Sequence, residues 1–598
     1  MSTITKENLV LKGGEYLVKE SEAHTVFTPE QFDEEQLMFA DMIKEFIKTR
    51  VHTNLDRIDK QEEGLMIELL NESADLGLLG AGIPEEYGGL GVNIHTETIL
   101  NENLGPSHSF GVAVAAHTGI GTLPIQYFGT DKQKEFYLPK LASGELKAAY
   151  CLTEPGSGSD ALAAKTKAVL TEDGEHYIIE GQKMWITNGG FADVFIVFAK
   201  IDGEKFTGFI VDAKSDNISL GAEEDKLGIK GSSTRQVFFQ GVRVPKENVL
   251  GKIGQGHKIA FNVLNIGRYK LCAMAVGGSK QAIKVATKYA NERNQFGTPI
   301  SSFGAIQHKL AEMAVQTFAA ESATYRTSGL IKGKIDSLKA KGLDAIQAKL
   351  EAAEEYAIEC ALLKVLGSEA LAYCVDETVQ VFGGYGFSEE YPAARAYRDA
   401  RINRIFEGTN EINRLLSVGM TLKKAMKGEI DLMTPTMALQ QELATPPSKD
   451  EVINNEGFAA DKKAIINAKK AILLVAGSAI QKFGPKLDKE QEIVMALSDM
   501  CIQTFAAESA LLRVERMAGI KGEEASALYI DLMKTNLSDA IEKIQLHGKH
   551  ALSGFLEDDV LKMTLSGLRR LTRVAPYNTI AARKRIASAL IEANDFCF

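Results

Sequence analysis

Cysteine is scarce and scattered in this chain: six among 598 residues, at positions 151, 272, 360, 374, 501 and 597, with no C-x-x-C pair. That spacing excludes a disulfide framework and the common zinc motifs, and a reducing, cytoplasmic setting is expected. The ten histidines form no H-E-x-x-H, so no metal site is expected either. Positive charge is also short. Lys+Arg 68 against Asp+Glu 79 leaves a net charge of −11, which disfavours nucleic acid and anionic membrane surfaces as partners. No run approaches the roughly 18 apolar residues that cross a bilayer, so no transmembrane segment is expected. Residues 1–27 have neither the h-region nor the arginine-rich amphipathic character of a targeting peptide. What remains is an ordinary globular composition, 45% hydrophobic and 25% charged, over a length that suggests about four domain-sized units.

After an N-terminal extension, 1–27, the pattern is helical over 28–144. In EEQLMFADMIKEFIKTRV, Leu37, Met38, Met42, Ile43, Phe46 and Ile47 recur at the spacing of one buried helix face. Over 145–255 the texture changes to short β-branched and aromatic runs, HYIIEG, ADVFIVFAKID, FTGFIVDA and QVFFQGVRVP, separated by glycine turns. A β-sandwich or barrel is expected there. Helical periodicity returns over 256–430, a linker is expected at 431–456 where TPTMALQQELATPPSKD loses periodicity, and a last helical domain fills 457–598. The fold class is therefore mainly α with a central β domain. The octapeptide QTFAAESA occurs at 316–323 and again at 503–510, and Phe296-Gly297 repeats as Phe483-Gly484 at the same offset. The last domain is read as a degenerate duplicate of the helical bundle before it, against the rival of chance likeness between alanine-rich helices.

Several segments carry chemistry. TEPGSGSD, Thr153 to Asp160, follows the expected strand AAYCL; Gly156, Gly158 and Ala161 match the permissive G-x-G-x-x-A spacing, but a hairpin pattern follows where a Rossmann crossover is required. Its free N–H groups and the hydroxyls of Thr153 and Ser159 suit a flavin, and a structural turn explains it equally. Trp185-Ile186-Thr187 sets an aromatic plane beside a hydroxyl, suited to an isoalloxazine ring or to plain core packing. Arg293, in NERNQFG, is a cation at a helix end, facing a pyrophosphate or simply solvent. VQVFGGYGF carries three glycines after an apolar helix, more than a C-cap requires. In RDARINRIFEGTNEINR, Glu407 lies between Phe406 and Gly408 at a break between helices. Apolar surroundings would raise its pKa and make it a general base, whereas complementing a helix dipole is the plainer role.

Taken in order, YCLTEPGSGSD, KMWITNGG, KLGIKGSSTRQVFFQGVRVP, NERNQFG, VQVFGGYGF and RDARINRIFEGTNEI resemble the flavin-dependent acyl-CoA dehydrogenases over about residues 30 to 430. The very-long-chain branch, with its C-terminal helical extension, is the nearest likeness. The resemblance implies FAD as cofactor, an acyl-CoA substrate, an electron-transfer flavoprotein as acceptor, and a homodimer. It implies that Glu407 removes the α-proton while the β-hydrogen leaves as hydride to flavin N5, giving a trans-2-enoyl-CoA in fatty-acid β-oxidation. Tyr150, Leu152, Thr153, Gly158, Ser159, Trp185, Ile186 and Thr187 match FAD contacts, with Thr409 on the catalytic loop. Arg293, Gln295, Phe296, Gln380, Phe382, Gly383 and Gly384 match FAD contacts, several of them made from a neighbouring subunit. Ser159, Asn265, Arg268 and Gly408 match substrate contacts. Some members carry the base immediately before the arginine corresponding to Arg268; here that position is Gly267.

An acyl-CoA oxidase would use the same residues, and a non-catalytic assembly protein of the same fold would lack the base and flavin contacts. In the duplicate, Ile480 falls at the offset of Arg293, QLHG at 545–548 only partly retains QVFGG, and nothing resembles FEGTNE. The expectation is a bundle that has lost flavin and catalysis and packs where a second dimer would dock.

Overall fold

Asp33 opens the first long helix with a capping box, its side chain accepting the Gln36 N–H at 2.8 Å while the Gln36 amide accepts the Asp33 N–H. In this computed structural model, which describes residues 10–445 and 457–598, that helix is α1 (Glu34–Phe46). It is followed by α2 (Leu55–Asp59), α3 (Leu65–Asp75), α4 (Ile94–Leu104), α5 (Ser109–Ala115), α6 (Leu123–Phe128) and α7 (Asp131–Ala142). The buried face of α1 is Gln36, Ala40, Ile43 and Phe46. Leu37 and Met38 were expected on it but are 50% and 73% exposed, because α1 packs along one side only, chiefly on α4.

Strands β1 (Ala148–Cys151), β2 (Lys167–Leu170), β3 (His176–Thr187), β4 (Val194–Ile201), β5 (Lys205–Asp212), β6 (Ile218–Glu223), β7 (Thr234–Pro245) and β8 (Val249–Leu250) form one sheet. Its order is β6-β7-β3-β2-β4-β5-β8, with β1 parallel to β4. The sheet bends over itself: β3 and β5 are not neighbours, yet the rings of Tyr177 and Phe209 meet at 5.4 Å. Alternation then divides the apolar residues. Phe195 and Val197 join that inner core, while Tyr150, Ile196 and Phe198 face the helices.

The remaining helices are α8 (Gly256–Glu292), α9 (Gly304–Ala340), α10 (Ala345–Glu355), α11 (Ala357–Phe382), α12 (Pro392–Ala400), α13 (Asn410–Met426) and α14 (Met433–Ala444). They continue in α15 (Ala459–Phe483), α16 (Gln491–Lys521), α17 (Ala527–Ser553), α18 (Asp558–Leu571) and α19 (Thr579–Ala593). Residues 433–444, expected as linker, are helix α14: Leu439 buries itself and Glu442 pairs with Lys470 of α15. Residues 446–456 lie outside the described residues. Nor is the N-terminal extension loose over its described part, since Tyr16 and Leu17 are buried and Gly13 and Gly14 donate to Glu355 and Glu359.

Helix order pairs α8, α9, α11, α12 and α13 with α15, α16, α17, α18 and α19, and α10 has no counterpart. Across the α9–α16 seam the contacts are reciprocal. Arg326 pairs with Glu508 at 3.0 Å, bonds Ser509 and lies over the Phe505 ring; Arg513 pairs with Glu321 at 2.7 Å, bonds Ser322 and lies over the Phe318 ring. The two QTFAAESA copies thus meet about a local pseudo-dyad, as an isologous interface would. The helix end matching Phe382 is Ser553, and QLHG at 545–548 lies inside α17. The stretch 459–489 is long and apolar enough to cross a membrane by composition, and half of its most apolar window is buried in this second bundle.

Candidate active site

A cleft of about 1810 Å³ opens between the sheet and the parent bundle. One wall comes from β1, the loop after it and the end of β3: Tyr150, Leu152, Thr153, Gly158, Ser159, Trp185, Ile186 and Thr187 all line it. Asn265 and Arg268 of α8 and Glu407, Gly408 and Thr409 before α13 form the facing wall. The structure therefore gathers every one of these expected residues in one place.

Local chemistry explains how each wall is held. Glu154 is buried under the 153–160 loop, pairs with Lys183 at 2.7 Å and accepts the Lys165 and Thr166 N–H groups. That anchor leaves Gly156 and Gly158 with open space around them. On β3 the register with β7 shifts between Lys183 and Ile186. Trp185 sits in this bulge with φ +61°, which turns its ring out of the sheet, 52% exposed, into the cleft. The Tyr150 hydroxyl is buried with no protein partner.

Glu407 has φ +59° and Gly408 φ +78°, two consecutive left-handed residues. For a glutamate this is a strained conformation, and it is clamped. Asn413 Nδ2 donates to the carbonyls of Gly408 at 2.8 Å and Thr409 at 2.9 Å, and Arg268 Nε donates to the Glu407 carbonyl at 3.1 Å. Arg268 is itself steadied by Asn265 Oδ1 at 2.9 Å. Thr409 caps α13 by accepting the Ile412 N–H at 3.2 Å. The Glu407 Oε2 is sealed from solvent without a hydrogen-bond partner, and burial pushes the carboxyl pKa up to about 7, against the opposing pull of Arg268 and Lys364. A Cβ on Gly267 would fall 2.6 Å from that oxygen. A side chain at position 267 would thus reach the point that the Glu407 carboxyl occupies.

Arg293, Gln295, Phe296, Gln380, Phe382, Gly383 and Gly384 do not line the cleft. They gather at the far end of α8, about 38 Å from Arg268 at the rise of a helix. There Tyr289 stacks on Phe382 at 3.9 Å, the Arg293 guanidinium lies over Tyr385, and Phe296 is 95% exposed. Sequence reading missed Asn413, the clamp of the base loop, and Lys364 behind it. Lys364 lies in none of the quoted segments; Asn413 lies within RDARINRIFEGTNEINR, six positions after Glu407, but no role was read for it. Among the described residues no group of acids, histidines or cysteines is arranged to hold a metal.

Comparisons with known proteins match the order of domains. Family patterns described as the N-terminal, middle and C-terminal domains of acyl-CoA dehydrogenase match residues 33–145, 149–242 and 254–420, and a further acyl-CoA dehydrogenase C-terminal domain pattern matches 467–570. A probable acyl-CoA dehydrogenase of Bacillus subtilis (strain 168) is 47% identical over 588 residues, 98% of both chains. The human mitochondrial very long-chain specific acyl-CoA dehydrogenase is 41% identical over 403 residues, 65% of this chain and 58% of that protein. Among solved structures, an acyl-CoA dehydrogenase from Bacillus anthracis complexed with FAD superposes with a TM-score of 0.96 at 47% identity, covering 98% of this chain and 100% of that one. Butyryl-CoA dehydrogenase from Megasphaera elsdenii gives 0.59 at 35% identity, covering 66% of this chain and 99% of its own. The chain belongs to the acyl-CoA dehydrogenase family.

Proposed function

We propose that the protein is an FAD-dependent dehydrogenase of long-chain fatty acyl-CoA, acting in fatty-acid β-oxidation with Glu407 as the α-proton base. The observation that carries this reading is the Glu407 carboxyl: one oxygen sealed from water without a partner, the group pushed up to about 7, and facing across one cleft the wall of Trp185 and Thr187. A base with that pKa is ionised in substantial part at neutral pH and still strong enough to take a weakly acidic α-proton.

The wall fits FAD on its own evidence. It offers an outward aromatic plane at Trp185, an orphaned buried hydroxyl at Tyr150, and unobstructed backbone at Gly156 and Gly158. Bound there, the flavin supplies the acceptor for the β-hydride. The chain's own residues do the rest. Glu407 receives the α-proton on its carboxylate, and its backbone N–H, which takes no acceptor among the described residues, is free to polarise the thioester oxygen. Arg268 and Asn413 hold the strained loop so that neither group drifts.

The product is a trans-2-enoyl-CoA, and an electron-transfer flavoprotein is the proposed acceptor. The exposed group around Arg293, Gln295, Phe296, Gln380 and Gly384 is too far along α8 to serve this cleft, and is assigned to the flavin of a second copy in a homodimer. Six free thiols, five of them buried, accord with a cytoplasmic setting. The test is anaerobic titration with acyl-CoAs of graded chain length, following oxidised-flavin absorbance. Wild type is expected to bleach fastest with long chains, and Glu407→Gln to bleach at least ~10²-fold more slowly. Equal bleaching by the two would remove Glu407 from its role, and peroxide release in air would point to an oxidase.

A further inference from the structure

Lys364 on α11 is wholly buried, yet its Nζ bonds an amide and not a carboxylate: Asn410 Oδ1, at 2.7 Å. An interior ammonium ordinarily has an acid against it, because an unpaired buried charge is strongly unfavourable. Asn410 is fixed in this orientation, since its Nδ2 donates to Ser368 Oγ and Glu369 Oε1, both at 3.1 Å. It is also the first residue of α13, three positions after Glu407. Of the charged groups around Lys364, Glu407 acts on it most strongly, followed by Arg268 and then, more weakly, Glu411 and Glu369. Around Glu407 the cations are Arg268 and Lys364, with the Tyr150 phenol across the cleft. Arg268 directs its hydrogen bonds to the Glu407 carbonyl and to Asn265. Two buried cations therefore face a single carboxylate.

We propose that Lys364 is a positioning residue for the base: through Asn410 it fixes the first turn of α13, and its ammonium, beside the Arg268 guanidinium, is a built-in counter-charge of the Glu407 carboxylate. This rests on the reading of Glu407 as the base. Burial pushes the carboxyl up and the ammonium down, each to about 7, and each charge opposes the shift of the other. Without the ammonium, Glu407 has less reason to ionise and remains protonated at neutral pH.

The test uses the flavin-loaded full chain. The infrared carbonyl band of protonated Glu407, identified as the band lost in Glu407→Gln, is followed against pH. In Lys364→Gln, which keeps a donor for Asn410 and removes the charge, its midpoint is expected to rise by about one pH unit, a tenfold change in the ionisation constant. Lys364→Met is expected to shift it as far, and the acid limb of substrate-driven bleaching moves with it in both. An unmoved midpoint in Lys364→Gln overturns the proposal, even if Lys364→Met disturbs the fold or slows turnover. Should neither lysine variant fold, Asn410→Asp gives the ammonium an acid of its own and leaves Lys364 in place. Its midpoint is expected to rise too, and an unmoved one overturns the proposal. Equal bleaching by Glu407→Gln and wild type instead overturns the assignment of the base, whatever the band does.

Discussion

The parent bundle, α8 to α13, and its duplicate, α15 to α19, share a helix order and a seam of reciprocal arginine pairs, yet their buried charges are organised differently. In the duplicate each of these buried charges has an opposite charge against it: Lys469 meets Glu508, Asp531 meets Arg585 at the surface, and Asp461 meets half-buried Lys534. In the parent, buried Lys364 and the sealed Oε2 of Glu407 have no opposite charge in hydrogen-bond contact. The connection that carries strained Glu407 between α12 and α13 corresponds to 572–578 between α18 and α19, TRVAPYN, which has no acid. The duplicate also lacks α10, whose Gln347, Glu351 and Glu354 line the outer cleft. The two bundles share a way of packing and differ in whether these charges are balanced. An unmatched buried group costs stability, so it is expected where the site requires it.

The seam itself is the strongest test of that comparison. Arg513→Ala leaves Glu321 and Glu30 without their guanidinium, and breaking such a buried pair is expected to cost about 3–5 kcal/mol. Arg326→Ala is expected to cost nearly as much if the pseudo-dyad is energetic as well as geometric. Denaturant unfolding, read at its first transition, measures both. Sedimentation adds a second reading: the intact chain is expected as a dimer, and Arg513→Ala, by loosening the duplicate from α9, is expected to form larger species. Very unequal costs would mean that the symmetry is only one of shape.

Glu359 sharpens the comparison on the parent side. It accepts the Gly14 N–H at 2.7 Å, its other oxygen has no partner, and burial raises its pKa to about 7 from the ordinary 4.5. Between those values the folded chain binds more protons than the unfolded one, so this group's contribution falls as pH rises from 4.5 to 7 and stays low above it. Glu359→Gln keeps an acceptor for Gly14 and removes the titration. It is expected to stabilise the fold by about 1–3 kcal/mol at pH 8 and by almost nothing near pH 4.5. Melting temperatures across that range decide the matter; a benefit that does not depend on pH would mean that Glu359 is paired after all.

The groups that touch the cleft were legible because they occupy short ordered motifs: the loop from Thr153, Trp185 with Thr187, Arg268, and Glu407 with Gly408. Their spacing survives in one dimension because each motif sits on one turn or one strand end. Lys364 and Asn413 were not legible. Lys364 lies inside a helix among ordinary neighbours, and Asn413, although within RDARINRIFEGTNEINR, gains its task only because its amide turns back onto the loop before α13. Leu37 and Met38 misled because helical periodicity locates an apolar stripe without saying how much of it a partner covers. Residues 433–444 misled through their proline, which sits in the first turn of α14, where its missing N–H costs nothing.

The finest comparison lies in the caps of the last helix in each bundle. Thr409 caps α13 through the Ile412 N–H at 3.2 Å, and Asn578 caps α19 through the Ala581 N–H at 3.0 Å. Thr409→Ala and Asn578→Ala are each expected to cost about 1 kcal/mol of stability. Their effects on flavin bleaching are expected to part. Thr409→Ala loosens the turn that aims Glu407 and should slow it roughly ten- to a hundredfold, whereas Asn578→Ala should leave it unchanged. Thr409→Ser, which keeps the hydroxyl, should restore both properties. Slowing by Asn578→Ala as large as that by Thr409→Ala would mean that the duplicate's last helix still reaches the reacting centre, and the contrast between an open and a closed bundle would fail.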